Sequence, residues 1–328
     1  MLIYIDPLLL NLEQNFRNLD KLLFMIEDGK HTLLLRDNDE ENIMESAWLE
    51  SQGDRVKQST YEIILKLLTA TAYNSTSAKQ RIPVTINSLP NDNSNLENSL
   101  KRLEDPLIIL MENSTSDGTF LNCICRCFKN QSKQIQKALG MGWLEYVQAG
   151  GITQIIPVIN HYNKKKTAPY TPRIFVIIDS NKLHPADERG EVKAVVDFCA
   201  DNGIPCRSLY KREIENYLPL NVLSSHFEEG DLSYNAFISL THDQMDFYDL
   251  DKGFNGKNEY PEGQQELFEG LKDADFKALR QGISIAKADL YRLFNDVKIV
   301  QVELLNRCTH QPEPLELKNI LFEIESNL

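Results

Sequence analysis

The sequence predicts an α/β protein centred on a parallel sheet of about four strands with helices on both faces. Three observations predict it. Two short apolar runs, Pro106-Leu107-Ile108-Ile109-Leu110-Met111 and Arg173-Ile174-Phe175-Val176-Ile177-Ile178, have the composition of strands buried on both sides. Between and after them, apolar residues return at helical spacing. Strand and helix alternate with short connections, as parallel crossovers require.

Taken in order, residues 1–103 form an α+β N-terminal accessory region. Phe16, Leu19, Leu23 and Ile26 share one helical face, as do Tyr61, Ile64, Leu65 and Leu68. His31 to Leu35 and Ile82 to Ile86 are predicted strands. The polar stretch Asn91-Asp92-Asn93-Ser94-Asn95, after Leu89-Pro90, marks a boundary. The central domain spans 104–220. Its first strand ends at Met111, and Phe120, Leu121, Ile124 and Phe128 give the next helix. Trp143 to Val147 form the second strand, and Gly150-Gly151 break the chain. Ile152, Ile155, Ile156 and Ile159 are helical, Arg173 to Ile178 are the third strand, Val192, Val195, Val196 and Cys199 are helical, and Ile204 to Leu209 are the fourth strand. Residues 221–328 are predicted to be mostly helical, with Leu290, Leu293, Phe294, Val297 and Leu304 as one apolar stripe. The Gly-, Asn- and acid-rich stretch from Asp249 to Gly263 reads as a long surface loop.

The chain has 328 residues, 42% hydrophobic, enough for a sizeable core. No apolar run reaches the roughly 18 residues of a membrane span, and the start lacks a signal peptide's basic flank, so a soluble, cytoplasmic protein with no membrane partner is expected. Cys123, Cys125 and Cys127 alternate without a second pair at zinc-ligand spacing. They read as reduced thiols, Cys123 and Cys127 facing inward and Cys125 elsewhere. The net charge of −13 argues against a broadly basic nucleic-acid surface. Basic residues gather only in short patches: Lys129, Lys133 and Lys137; Lys164-Lys165-Lys166; Lys211-Arg212.

In a parallel sheet the working groups stand just past the carboxyl ends of the strands. Glu112 and Asp179 occupy that position on two different strands. Converging acids repel, and a divalent cation is the usual remedy. All-oxygen ligands suit Mg²⁺ or Mn²⁺. Asp117 can ligate or cap the following helix, and Asn181 can ligate or simply turn the chain. Glu213 and Glu215 can complete a site or stabilise a helix start. Lys211 and Arg212 can contact phosphate or neutralise those glutamates. His161 and His184 lie near the same rim, most simply as polar loop histidines.

Three segments together resemble Toprim domains of the OLD nuclease type. Leu110-Met111-Glu112 with Ser116-Asp117-Gly118 resembles the first Toprim motif. Ile177-Ile178-Asp179-Ser180-Asn181 resembles the Asp-x-Asp motif. Lys211-Arg212-Glu213-Ile214-Glu215-Asn216-Tyr217-Leu218 is similar to a segment that follows the domain's last strand. The resemblance covers 103–220. It departs from the family pattern at Asn113, where many members have Gly, in a Glu112-to-Asp117 interval one residue longer than usual, and at Asn181, which replaces the second Asp.

The resemblance implies a metal-dependent nuclease acting on DNA or RNA, with Glu112, Asp179, Glu215 and Lys211 in catalysis. Glu112, Asp117, Asp179, Asn181, Glu213 and Glu215 would hold the metal. It also implies an ABC- or SMC-like ATPase as a separate subunit and a role in anti-phage defence, and leaves a homo-oligomer open. The rival reading is a catalytically degenerate Toprim protein that binds nucleic acid or a partner without cutting. Toprim primase or topoisomerase chemistry ranks lower, since no tyrosine has a nucleophile's context. The sequence carries no phosphate-cradling Gly loop with Lys-Ser/Thr and no Gly-x-Ser-x-Gly elbow.

Overall fold

The computed structural model describes residues 2–36, 38–73, 84–86, 95–165, 173–283 and 285–328. Among the described residues, seven strands fall in two parallel sheets. The N-terminal sheet contains β1 (Leu2–Ile5), β2 (Thr32–Leu33) and β3 (Val84–Ile86) in the order β2-β1-β3. Helix α1 (Phe16–Glu27) follows β1, α2 (Asp54–Tyr73) follows β2, and α3 (Leu96–Glu104) follows β3. The region was expected to be α+β, but both pairings of β1 are parallel, so it is built of crossovers. Ile3, Leu19, Leu22, Trp48, Ile64, Ile86, Leu100 and Leu103 close its core. Residues 87–94, which hold most of the expected linker, and 82–83 at the start of the expected second strand lie outside the described residues.

The central sheet contains β4 (Leu107–Met111), β5 (Leu144–Gln148), β6 (Ile174–Ile178) and β7 (Cys206–Ser208) in the order β5-β4-β6-β7, all parallel. Every residue of β4 and of β6 is buried. Their side chains divide by period two. Leu107, Ile109, Met111, Phe175 and Ile177 enter one apolar cluster, and Ile108, Leu110, Ile174, Val176 and Ile178 enter the other. The first cluster packs on α4 (Ser116–Cys127) and α5 (Lys133–Gly140), which lead from β4 to β5. The second packs on α6 (Ile155–Lys165) and α7 (Gly190–Asp201), which lead from β5 to β6 and from β6 to β7. The chain moves one way from β4 to β5 and the opposite way thereafter. One hand of crossover then requires the helices to change face, as they do.

Described apolar residues of the C-terminal region pack into the central core. Phe237, Tyr248, Phe254, Phe268, Phe294, Leu304, Leu317 and Leu321 join the cluster on the α4 face. The last helix, α8 (Glu316–Asn327), belongs to the same cluster. Packing against this shared core corrects one expectation and refines another. The stretch 249–263 is a loop with many exposed residues, as expected, but it is anchored by Phe254, which is fully buried with its ring 5.0–5.5 Å from those of Tyr248, Tyr260, Phe268 and Phe276. The stripe from Leu290 to Leu304 is broken into short turns, leaving Val297 82% exposed. Cys123 and Cys125 are both buried and Cys127 is half-buried, all as free thiols, in keeping with the expected reduced cysteines.

Candidate functional site

The neighbours β4 and β6 are the point at which the strand order reverses, where parallel α/β sheets place their ligands. The pairing Leu110↔Val176 sets Glu112 opposite Ile178, so β6 ends one residue beyond β4 at the same edge of the sheet. Glu112, the first residue past β4, and Asp179, the first past β6, therefore leave the same rim on adjacent strands, which lie about 4.8 Å apart.

Local hydrogen bonds fix both turns. The Glu112 carbonyl accepts from Gly150 N (3.0 Å) and Gly151 N (3.3 Å). Both glycines have positive φ, +91° and +114°, which explains the chain break at this position. Asn113 Oδ1 accepts from Thr115 N (2.9 Å) and turns the chain into α4. Asp117 accepts from Asn113 N (3.0 Å) and Ser116 Oγ (2.8 Å), so it braces the start of that helix. Past β6, buried Ser180 donates to the Lys211 carbonyl (2.7 Å), and Asn181, in the left-handed region at φ +52°, donates its N–H to the Arg212 carbonyl (2.9 Å). These bonds fasten the Asp179 loop to the segment 211–214. Ile214 N then donates to Asp179 Oδ1 (3.0 Å).

Ile214–Tyr217 is a single 3₁₀ turn. Glu213 caps it in a reciprocal box with Asn216 Oδ1, which accepts from Glu213 N at 3.0 Å. Glu215 lies within the turn and is 2% exposed. The electrostatic consequence is concentrated on Asp179. Burial, and then the charges of Asp117, Glu215, Glu213 and Glu112, push its carboxyl well above the usual carboxylate range. Five acids from three segments of the chain thus share one field.

Lys211 is placed differently. It is fully buried, with Nζ paired to Asp246 and donating to the Arg307 carbonyl (2.7 Å). Burial, helped by Arg307 and opposed by Asp246, lowers its pKa to about 8. Asp246 also accepts from Arg307 Nη2 (3.4 Å) and His310 Nε2 (2.7 Å). Arg212 pairs with Asp249 at 3.0 Å. The two basic residues therefore have carboxylate partners beyond residue 220, where the sequence suggested Glu213 and Glu215. These partners lie 35 and 37 residues away, with no local pattern to announce them. Among the other expected groups, His161 is exposed on α6 and His184 is half-buried in the loop after Asn181. Lys129, Lys133 and Lys137 are exposed, but Lys137 donates to the Asp28 carbonyl (2.7 Å) and lies over the Trp143 ring, joining the N-terminal region. Lys164 is exposed; the Lys165 side chain and Lys166 lie outside the described residues.

Among the described residues, no three His, Cys, Asp or Glu side chains are arranged, as they stand, to enclose a metal ion. The acids around Asp179 offer only oxygen donors, the ligand type that Mg²⁺ takes, often with only one or two carboxylates. Among the described residues, no helix is long and apolar enough to cross a membrane. Comparison with protein-family models, curated proteins and solved structures found no match.

Proposed function

We propose that the chain is a Toprim-type, metal-dependent phosphodiesterase acting on nucleic acid. The observation that carries the reading is the acid cluster centred on Asp179, at the carboxyl rim where the strand order reverses. Glu112 and Asp179 would hold Mg²⁺ or Mn²⁺, with Asp117, Asn181, Glu213 and Glu215 completing the surroundings. When bound, the ion lowers the pKa of water and offsets charge on the attacked phosphate.

The chain's own residues prepare this site. The Ile214 N–H fixes one oxygen of Asp179 and leaves the other for a ligand. With the Asp179 pKa raised, protons compete with a cation for its carboxyl, so metal affinity rises with pH. Lys211, buried on Asp246 and the Arg307 carbonyl, serves to hold the backbone of 211–214. The Toprim resemblance extends the proposal to an ABC- or SMC-like ATPase subunit and a defence role.

The binding-only reading draws on Asn181, whose amide brings no charge. One experiment separates the two. DNA and RNA are incubated with Mg²⁺ or Mn²⁺ and with wild type, Glu112→Ala or Asp179→Asn. Cutting by wild type and loss of about 10³-fold or more in both variants is the expected result. Absence of cutting by wild type, alone and with an ATPase partner, overturns the hydrolytic reading.

A further inference from the structure

Beside the acid cluster lies a cleft of about 560 Å³. Its wall includes Asn181, two residues past Asp179, and Arg212, which immediately precedes Glu213. The cleft and the acids thus share two loops, and those loops are fastened by the Asn181 N–H to Arg212 carbonyl bond (2.9 Å). Ile152 supplies apolar wall, and Arg189 stands at the lip. Arg212 is the fixed cation: its side chain is 16% exposed and held on Asp249 at 3.0 Å. Arg189 is the available one, 45% exposed and 3.8 Å from Asp187. Glu188 and Glu191 are exposed residues of the same opening, so positive charge is local and suits one phosphate better than a track of them. A second cleft, of about 520 Å³, lies along His184, Gln265 and Glu266 and has neither Arg nor Lys in its wall.

We infer that the arginine cleft receives one unpaired nucleotide next to the phosphodiester at the acid cluster, with Arg189 on its phosphate, so that the strand engaged is single-stranded there. This deepens, and rests on, the reading of the acid cluster as the cutting site. A strand whose phosphate lies on the acids must leave the rim through a neighbouring opening, and this opening offers Arg189. Clefts of about 300–1,000 Å³ take ligands the size of a single nucleotide, and a base-paired segment is far larger. The contact is electrostatic on the phosphate, so it is shared by DNA and RNA.

The test is equilibrium binding, followed by fluorescence anisotropy in metal-free buffer. The probes are labelled oligothymidylate, oligouridylate and a blunt DNA duplex of the same length. The proteins are wild type, Arg189→Ala, Arg189→Lys and Arg17→Ala, the last on α1 in the N-terminal region. Arg189→Ala is expected to weaken single-strand binding about tenfold. It is also expected to flatten the slope of log affinity against log salt by about 0.7, one released counterion on a single strand. Arg189→Lys should restore the slope, Arg17→Ala should match wild type, and the duplex should bind more weakly than either single strand. A preference for the RNA or the DNA oligomer identifies the source of the strand. Unchanged affinity and slope in Arg189→Ala, or a duplex bound as tightly as the single strands, overturns the inference. If wild type binds single strands through Arg189 yet cuts none with Mg²⁺ or Mn²⁺, the cleft stands and the hydrolytic reading falls. If wild type cuts but Arg189→Ala binds and cuts equally well, hydrolysis stands and the cleft falls.

Discussion

Replacing Lys211 by Met separates a structural lysine from a chemical one. Lys211 and Asp246 are both fully buried, and Met keeps most of the lysine's length while removing its charge. Breaking a buried pair from one side typically costs about 3–5 kcal/mol, because the remaining charge stays in a poorly solvating interior. Asp246 would still accept from Arg307 at 3.4 Å and His310 at 2.7 Å, so the cost should fall near the lower end, about 3 kcal/mol. That is a large part of the roughly 5–15 kcal/mol by which most proteins are stable. The assay is urea unfolding followed by two probes, with the slope against urea checked for change. A second signature is the alkaline limb. The folded pKa of Lys211 lies at about 8, below its unfolded value, so between the two the unfolded chain binds more protons and stability rises with pH. Lys211→Met should remove that rise. A loss under about 1 kcal/mol with the alkaline limb intact would show that the buried pair does not carry the segment 211–214. A variant of wild-type stability that has lost cleavage would show that Lys211 acts on the substrate.

Three further outcomes follow from the same geometry. Asp179 has a raised folded pKa, so the folded state binds the extra proton and stability falls as pH rises from the unfolded value toward the folded one. In chelator at alkaline pH, Asp179→Asn should therefore melt above wild type, and Mg²⁺ at about a hundred times its Kd should add about 2.7 kcal/mol to wild type but not to the variant. His31, buried and donating Nε2–H to the Leu103 carbonyl at 3.0 Å, has its pKa lowered to about 2, chiefly by burial. Below the unfolded value the unfolded chain binds more protons, so this group should make the N-terminal core about 3 kcal/mol less stable at about pH 4.5 than at about pH 7, a loss that His31→Gln removes and chemical denaturation measures. Phe254→Ala should cost about 3–5 kcal/mol in urea, because its ring fills an aromatic cluster; a mere surface loop would lose far less.

The sequence by itself determined the central sheet and the rim from which Glu112 and Asp179 emerge. A strand buried on both faces must be apolar at every position, and the residue that ends the run is the first that can be charged, so 107–112 and 174–179 carry their message locally. The helices on either side were equally legible, because a packed helix shows its buried stripe within a few turns. Tertiary structure alone decided what depends on contacts between distant segments. Nothing near Lys211 reveals Asp246, nothing near Arg212 reveals Asp249, and nothing near Phe254 reveals Phe268 and Phe276. Apolar periodicity reports whether a residue is buried, but a side chain's charge state and partners depend on which other segment is folded against it.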